Sequence, residues 1–173
     1  EYRVLETFRD AVALQFPAKL ADGTKRPHFL RGDASNPVRL WVWKADLEEQ
    51  GKHSVEEAVA RGWRQPAKAL EEKQQQLSGK AQWMEGRWSV VMKRALVTAD
   101  GSGVQFVPGA FIPMAINAWD GSNGEHGLLM SVSTWHYVFL EAPTPARVYG
   151  YSGFTVLLTG LLGFGLMRKA QRS

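Results

Sequence analysis

The sequence predicts a mainly β domain, an antiparallel β-sandwich, followed by one C-terminal transmembrane helix. Two observations predict this fold class. Short segments along most of the chain alternate apolar and polar residues with the period of two that is typical of strands, and turn-forming Gly, Asp, Asn and Pro residues separate them. Near the C-terminus, one long stretch carries no charge. We therefore predict the sandwich over residues 1–142 and a linker over residues 143–147.

Several segments have the pattern of strands. In one of them Val38, Leu40 and Val42 lie on one face, and Trp41 and Trp43 lie on the other. The last two segments are apolar on both faces, as strands are when both sides are buried. The predicted strands are 10–16, 38–43, 88–94, 111–119 and 130–140, and Tyr2–Thr7 has the same character.

Residues 54–77 interrupt the strand pattern. This segment is rich in Glu, Lys and Gln. Ser54 and Glu57 have the spacing of a capping box, and Pro66 is placed to begin a second short helix. The segment is therefore predicted to be a short, solvated helical insertion on the sandwich.

The uncharged stretch, residues 148–167, has the length that a helix needs to cross about 30 Å of hydrocarbon. Arg147 precedes it, and Arg168 and Lys169 follow it. By the positive-inside rule, the basic tail 168–173 is predicted to be cytoplasmic. The sandwich is then expected on the periplasmic side of a bacterial inner membrane, in a single-pass arrangement.

Small residues in this stretch raise the question of a partner helix. Thr159 and Gly163 form a small-xxx-small pair, which lets another transmembrane helix approach closely. The alternative is that glycine is simply frequent in membrane helices. Both interpretations stay open.

The composition excludes several kinds of site. The chain has no cysteine, which excludes disulfides, thiolate zinc sites, iron–sulfur clusters and covalent c-type haem within it. The net charge is +4, but the basic residues are scattered, so nucleic-acid binding is not predicted. No catalytic constellation stands out, and a solvated face explains the paired carboxylates Glu48–Glu49, Glu56–Glu57 and Glu71–Glu72. The seven Trp and eight Phe indicate a core or pocket rich in large rings.

Four blocks of sequence follow one another in a fixed order: DAVALQFP at 10–17, PHFLRGDASNPVRLWVWKAD at 27–46, GRWSVVMKRAL at 86–96 and IPMAINAWDGSNGEHGLLMSVSTWHYVFLE at 112–141. Together they resemble the haem-binding domain of the ethylbenzene dehydrogenase γ-subunit family, which includes the γ-subunits of dimethyl-sulfide, selenate and chlorate enzymes. The resemblance runs through nearly all of the predicted sandwich. It implies a β-sandwich with one non-covalent haem b, which takes electrons from an iron–sulfur subunit of a molybdenum enzyme and passes them to a cytochrome.

The resemblance also implies where the iron ligands should be. The family typically uses a Met in a Met-Gly-Asp turn and a Lys just before a Ser-Val-Ser-x-Trp strand. Here Arg31 stands at the first position and Met130 at the second. Arginine does not ligate iron because its guanidinium stays protonated. Met130 keeps a thioether that can ligate haem iron, although a methionine at this place can equally be core filler. His28 is the second predicted ligand, and Met114 is a further candidate.

Other residues have two interpretations each. Arg31 could pair with a haem propionate, because its planar fork suits carboxylates, or it could lie on the surface. Asp33 and Asp120 are predicted to form turns by bonding nearby backbone amides. Four tryptophans could wall a haem pocket or simply pack in the sandwich: Trp41, Trp43, Trp119 and Trp135.

Two functions are therefore open. In the first, the chain is a membrane-anchored, b-type cytochrome-like subunit of a respiratory redox complex. It would relay electrons between an oxidoreductase or quinol-linked partner and a cytochrome, and it would contact an iron–sulfur or cytochrome subunit and other transmembrane helices. In the second, the sandwich has lost its haem and is a structural scaffold subunit of such a complex. A carbohydrate-binding sandwich is a more distant third, since it needs an exposed aromatic platform.

Overall fold

The computed structural model describes residues 8–19, 26–98, 101 and 103–171. The chain divides into two compact units, Glu1–Leu140 and Glu141–Ser173, and each is described by itself. The strand predicted at Tyr2–Thr7 lies outside the described residues.

The first unit is built from short strands. They are β1 (Ala11–Pro17), β2 (Val38–Lys44), β3 (Val55–Ala60), β4 (Lys68–Ala69), β5 (Ser78–Met84), β6 (Arg87–Lys93), β7 (Phe111–Trp119), β8 (Ser131–Val132) and β9 (His136–Phe139). Helix α1 (Ala45–Glu49) follows β2, and single 3-10 turns occupy Glu72–Gln74 and Gly121–Asn123. The predicted strand at 130–140 is divided into β8 and β9, whereas β1, β2, β6 and β7 follow the predicted segments closely.

The strands form two antiparallel sheets. The larger has the order β4-β3-β2-β1-β7-β8, and β9 pairs with β7 beside β8, which gives seven strands. Strands β5 and β6 form a hairpin with its own ladder. Residues of the hairpin pack against one face of the larger sheet. The mainly β, antiparallel fold class predicted from the sequence is thus confirmed.

The two faces of the larger sheet differ in side-chain size. Alternation in β2 sends Trp41 and Trp43 to the face that the hairpin covers, where they join Phe16 and Trp88. We call this the hairpin face. The opposite face, called the small-residue face, carries Ala13, Val38, Leu40, Val42, Ala58 and Ala60.

A buried ion pair lies on the hairpin face. Nη1 of Arg94 is 3.0 Å from Oε2 of Glu57, and the two side chains are 0% and 2% exposed. The guanidinium lies 5.0 Å from the ring centroid of Trp41 and 5.3 Å from that of Phe106, and it also donates to the carbonyl of Val104. Both charges are therefore satisfied away from water, as burial requires.

The prediction of a helical insertion at 54–77 was wrong. Residues 55–60 form β3, which pairs along its length with β2. The Glu and Ala content favours a helix, but the alternation places Glu57 opposite Arg94 while Ala58 and Ala60 fill the small-residue face. The hydroxyl of Ser54 donates to Glu48 rather than capping a helix.

The second unit contains helix α2 (Ala146–Ala170). The span Ala146–Arg168 has a mean hydropathy of 1.4 and is long and apolar enough to cross a membrane, as predicted. Its hydroxyls bond within the helix: Thr155 donates to the carbonyl of Tyr151 at 2.9 Å, and Thr159 donates to that of Thr155 at 2.6 Å. Such internal bonds suit hydrocarbon, which offers no other partners. Residues 172 and 173 of the predicted basic tail lie outside the described residues.

The buried ion pair allows a stability prediction. Replacing Glu57 with Ala leaves the Arg94 guanidinium buried without its carboxylate, so we expect the free energy of unfolding to fall by about 3–5 kcal/mol. Urea unfolding followed by tryptophan fluorescence measures it. Glu71→Ala is the control, because Glu71 pairs with Lys73 at the surface, where the side chains are 70% and 78% exposed. Equal effects of the two substitutions would contradict the assignment.

Candidate functional site

A cleft of about 550 Å³ opens over the small-residue face. Its apolar lining comes from adjacent strands of the sheet, so the positions are fixed by the ladder. Ala11 and Ala58 contribute only a methyl group each, and this leaves room above the sheet. The described residues that also line it include Arg31, Leu40, Val42, Lys44, Glu56, Ala67, Trp119 and His126.

The turn that carries Arg31 is held in place by bonds from three parts of the fold. Buried Gln15 of β1 donates to the carbonyl of Phe29 at 2.9 Å, and Nε1 of Trp135 donates to that of Pro27 at 2.8 Å. The amide of Gly62 donates to the carbonyl of Arg31 at 2.8 Å. The turn is therefore anchored both before Arg31 and at the Arg31 backbone itself.

Local geometry makes this turn tight. Arg31 has a φ of 63° and Gly32 a φ of 69°, both in the left-handed region that costs an ordinary side chain energy. The amide of Gly32 donates to the carbonyl of His28 at 2.8 Å. Oδ1 of Asp33 accepts from the amides of Ser35 and Asn36, each at 2.8 Å, which confirms the turn predicted at Asp33.

Arg31 is buried to 3% exposure and has an unusual set of partners. Its Nη2 donates to Sδ of Met130 at 3.0 Å, and its guanidinium lies 5.3 Å from the ring centroid of Trp119. Its Nε has no hydrogen-bond partner among the described residues. Burial lowers the pKa of Arg31 from its usual value, because a low-dielectric site disfavours the charged form. A buried cation held by a thioether and an aromatic ring retains unused capacity to bind an anion.

The structure thus brings Arg31 and Met130 into direct contact, although 99 residues separate them. These are the two positions at which the sequence departs from the ligand residues of the family it resembles. Among the described residues, Arg31 lines the cleft and Met130 does not.

A second loop, residues 120–127, also lines the cleft and is rigidly built. Oδ1 of Asp120 accepts from the amides of Ser122 and Asn123, as predicted for this residue. The hydroxyl of Ser122, which also donates to Oδ1, and these amides hold the pKa of the Asp120 carboxyl below the usual range. The amide of Gly121 donates to Oδ1 of Asp10 at 3.0 Å. Nε1 of Trp119 donates to the carbonyl of Gly127 at 3.1 Å, which fixes the end of the loop beside β7.

Charged side chains border the cleft. Nζ of Lys44 lies 2.7 Å from Oε1 of Glu56, across the β2–β3 pairing, and both are partly exposed. Asp10 and Glu125 add carboxylates, and Arg9 adds a further cation. Within the described part of the chain, no three His, Asp or Glu side chains converge to hold a bare metal ion.

The remaining predicted site residues lie elsewhere. His28 is exposed, stacks on Phe29 with centroids 4.8 Å apart, and lines a different cleft beside Asp33 and Trp63. Met114 packs in the hairpin-face core. Neither residue is among the described residues that line the cleft beside Arg31.

The four predicted pocket tryptophans divide between the two faces. Trp119 lines the cleft beside Arg31. Trp135 packs against the small-residue face and bonds Pro27, so it positions the turn of Arg31. Trp41 and Trp43 belong to the hairpin-face core.

Two cleft residues were not singled out from the sequence. Lys44 could have been found, because the alternation of β2 places it on the face of Leu40 and Val42. His126 could have been found because it lies in a glycine-rich turn just before Met130.

Comparison with known proteins gives two matches. The family model described as ethylbenzene dehydrogenase matches residues 58–131. A protein of Haloferax mediterranei, provisionally named respiratory nitrate reductase heme subunit ORF7, is 32% identical over 139 residues, which cover 80% of this chain and 46% of that protein. The chain therefore spans about half the length of this relative.

The turn of Arg31 leads to a prediction that tests its geometry. A Cβ on Gly32 would lie 2.3 Å from the carbonyl oxygen of Asn36, whereas one on Gly86 would meet nothing within 4 Å. Both glycines have positive φ, so Gly86→Ala should cost about 1–2 kcal/mol of unfolding free energy from backbone strain alone. We expect Gly32→Ala to cost clearly more in the same denaturation experiment. A smaller loss at Gly32 than at Gly86 would show that the turn is not packed as described.

Proposed function

This chain belongs to the ethylbenzene dehydrogenase family, and from that membership we propose that it is a membrane-anchored, haem-carrying electron-transfer subunit of a respiratory complex. The single observation that carries the proposal is the contact between Arg31 and Met130 beside the cleft. It joins the two sequence positions at which the family typically ligates iron. The name of the relative, a heme subunit of a respiratory nitrate reductase, supports the same function.

The residues present fit a haem of the non-covalent b type. A cleft of about 550 Å³ is within the range of cofactor sites, and its floor is apolar. The absence of cysteine excludes covalent attachment. The thioether of Met130 supplies a soft donor, and the sulfur has a second lone pair besides the one that accepts from Arg31.

Arg31 would serve the cofactor as a cation. Its unpartnered Nε suits a carboxylate, so a propionate is a fitting partner. We retain His28 as the second ligand predicted from the sequence, and Trp135 as a residue that supports the pocket. A bound haem b would supply a one-electron iron couple, so the chain would carry electrons without catalysing a reaction itself.

The apolar C-terminal helix supports an anchored subunit. Helix α2 would hold the cleft domain at the membrane surface, with the domain on the periplasmic side and the C-terminus in the cytoplasm. Its partners would be the other subunits of the complex, among them an iron–sulfur or cytochrome subunit and further transmembrane helices. Electrons would pass between an oxidoreductase or quinol-linked donor and a cytochrome.

One observation favours the alternative, a scaffold subunit without haem. Met130 accepts a hydrogen bond from Arg31, which gives the buried cation one partner without any iron at this position. A protein that had lost its iron would need such a replacement contact to keep the buried cation stable.

A spectrum of the purified complex separates the two functions. We expect a b-type haem in the pyridine haemochrome assay and in the reduced-minus-oxidised visible spectrum, assigned to this chain. Met130→Ala should abolish or change the low-spin spectrum, because the thioether is removed. Met84→Ala is the matched control, since Met84 lies 60% exposed on the hairpin and should leave the spectrum unchanged.

Absence of b haem from the wild-type complex would make the chain a scaffold. Haem with an unchanged spectrum in Met130→Ala would leave the electron carrier intact and exclude Met130 as a ligand.

The charge of Arg31 should tune the reduction potential. A buried guanidinium beside the iron ligand disfavours the ferric state, so Arg31→Gln should lower the midpoint potential by an amount on the order of tens of millivolts. Redox titration of the complex measures it. Arg31→Lys keeps the charge and should stay nearer to the wild-type potential. An identical potential in all three proteins would place the haem away from Arg31.

A further inference from the structure

Exposed aromatic side chains cluster where β7 pairs with β9. Phe111 lies directly opposite Phe139 in this antiparallel pair, and Pro113 lies opposite Tyr137. Opposite residues share a face of the sheet, and the two phenyl rings are in contact, with centroids 4.9 Å apart. Phe111 is 68% exposed, Phe139 49% and Tyr137 44%. We call Phe111, Tyr137 and Phe139 the aromatic patch. Contiguous apolar surface of this kind typically marks a contact with a partner or a membrane.

The patch has a fixed position at the edge of the sheet. Within the part of the chain that the structure describes, β9 pairs with β7 alone. The end of β9 is held by a turn: the amide of Leu140 donates to the carbonyl of Ala110 at 3.1 Å, and the amide of Gly109 donates to that of Leu140 at 2.6 Å. The rings are therefore presented on an ordered strand and do not need to be ordered by a partner.

The position of the patch along the chain indicates what covers it. Helix α2 begins at Ala146, seven residues after Phe139. An extended chain spans at most about 3.6 Å per residue, so Phe139 lies within about 25 Å of that helix start, whatever the arrangement of the two units. If α2 crosses a membrane, the bilayer surface lies within this reach. Such a short tether holds the patch near the lipid at an effective concentration in the millimolar range, so even weak apolar contacts suffice.

The chemistry of the patch suits the boundary between lipid headgroups and acyl chains. Phenyl rings favour the apolar side of that boundary, and tyrosine is enriched there because its ring is apolar and its hydroxyl is polar. The guanidinium of Arg26, an exposed residue, lies 4.4 Å from the ring centroid of Tyr137. It is thus placed to bond headgroup phosphates while the phenyl rings enter the lipid.

We propose that the aromatic patch is a second membrane contact, which binds the lipid–water interface beside the anchor. This inference rests on the membrane-anchored arrangement of the proposed function. A single covalent link leaves a domain free to rotate about it. A second contact fixes which side of the domain faces the bilayer, so the cleft keeps one orientation towards partners in the same membrane.

Spin labelling of the full chain in vesicles of phosphatidylcholine and phosphatidylglycerol tests the proposal. The chain has no cysteine, so a nitroxide can be attached at one introduced cysteine at a time. Relaxation by oxygen, which concentrates in lipid, is compared with relaxation by a water-soluble nickel chelate. We expect the oxygen-to-nickel ratio to be several-fold higher for Phe139→Cys than for the control Val91→Cys, since Val91 is 67% exposed on the hairpin, away from the patch. Leu158→Cys reports whether α2 itself is inserted.

A further variant examines the role of the rings. Adding Phe111→Ser to the labelled Phe139→Cys chain should lower its ratio towards that of Val91→Cys, because half of the phenyl pair is removed. A water-like ratio at 139 with a lipid-like ratio at 158 would overturn the inference and leave the anchor standing. A label at 139 that neither reagent reaches would also overturn it, because a protein partner would then cover edge strand β9. A water-like ratio at 158 would show that the anchor of the proposed function fails, and the inference fails with it.

Discussion

Strand β2 lies between β1 and β3, and the alternation of its side chains determines what each face of the sheet can do. Trp41 and Trp43 fill the hairpin face, where large rings exclude water. Leu40, Val42 and Lys44 turn the other way and form part of the cleft. A shift of one residue in this register would place the indoles in the cleft and close it. The core on one face of the sheet and the cleft on the other thus both follow from the register of β2.

Arg31 is the feature of the cleft that stability alone does not explain. It is a buried cation in a left-handed turn, and its partners are a thioether and an indole rather than a carboxylate. Arg94, whose side chain is also buried, has Glu57 as its counterion. Native structures seldom leave such a group partly unsatisfied without a functional reason. An anionic group in the cleft would give Arg31 a counterion, as Glu57 does for Arg94.

The sequence predicted the fold class because β1, β2, β6 and β7 alternate clearly. It could not predict β3, since the partner that makes Glu57 compatible with a buried strand is Arg94, which lies 37 residues away. The resemblance to the γ-subunit family identified Arg31 and Met130 separately. Their contact could not be predicted, because it depends on how distant loops meet over the sheet.

In the proposed carrier, the chemistry of the cleft would set the reduction potential of the haem. A thioether ligand raises the potential of haem iron, and a nearby fixed cation raises it further, because both stabilise the ferrous state relative to the ferric state. The apolar floor of the cleft keeps the dielectric low and strengthens the effect of the Arg31 charge. In the proposed carrier, the positive charge of Arg31 beside the haem would raise the potential of the site. A haem held there would be suited to accept electrons from a donor of lower potential and to pass them to an acceptor of higher potential.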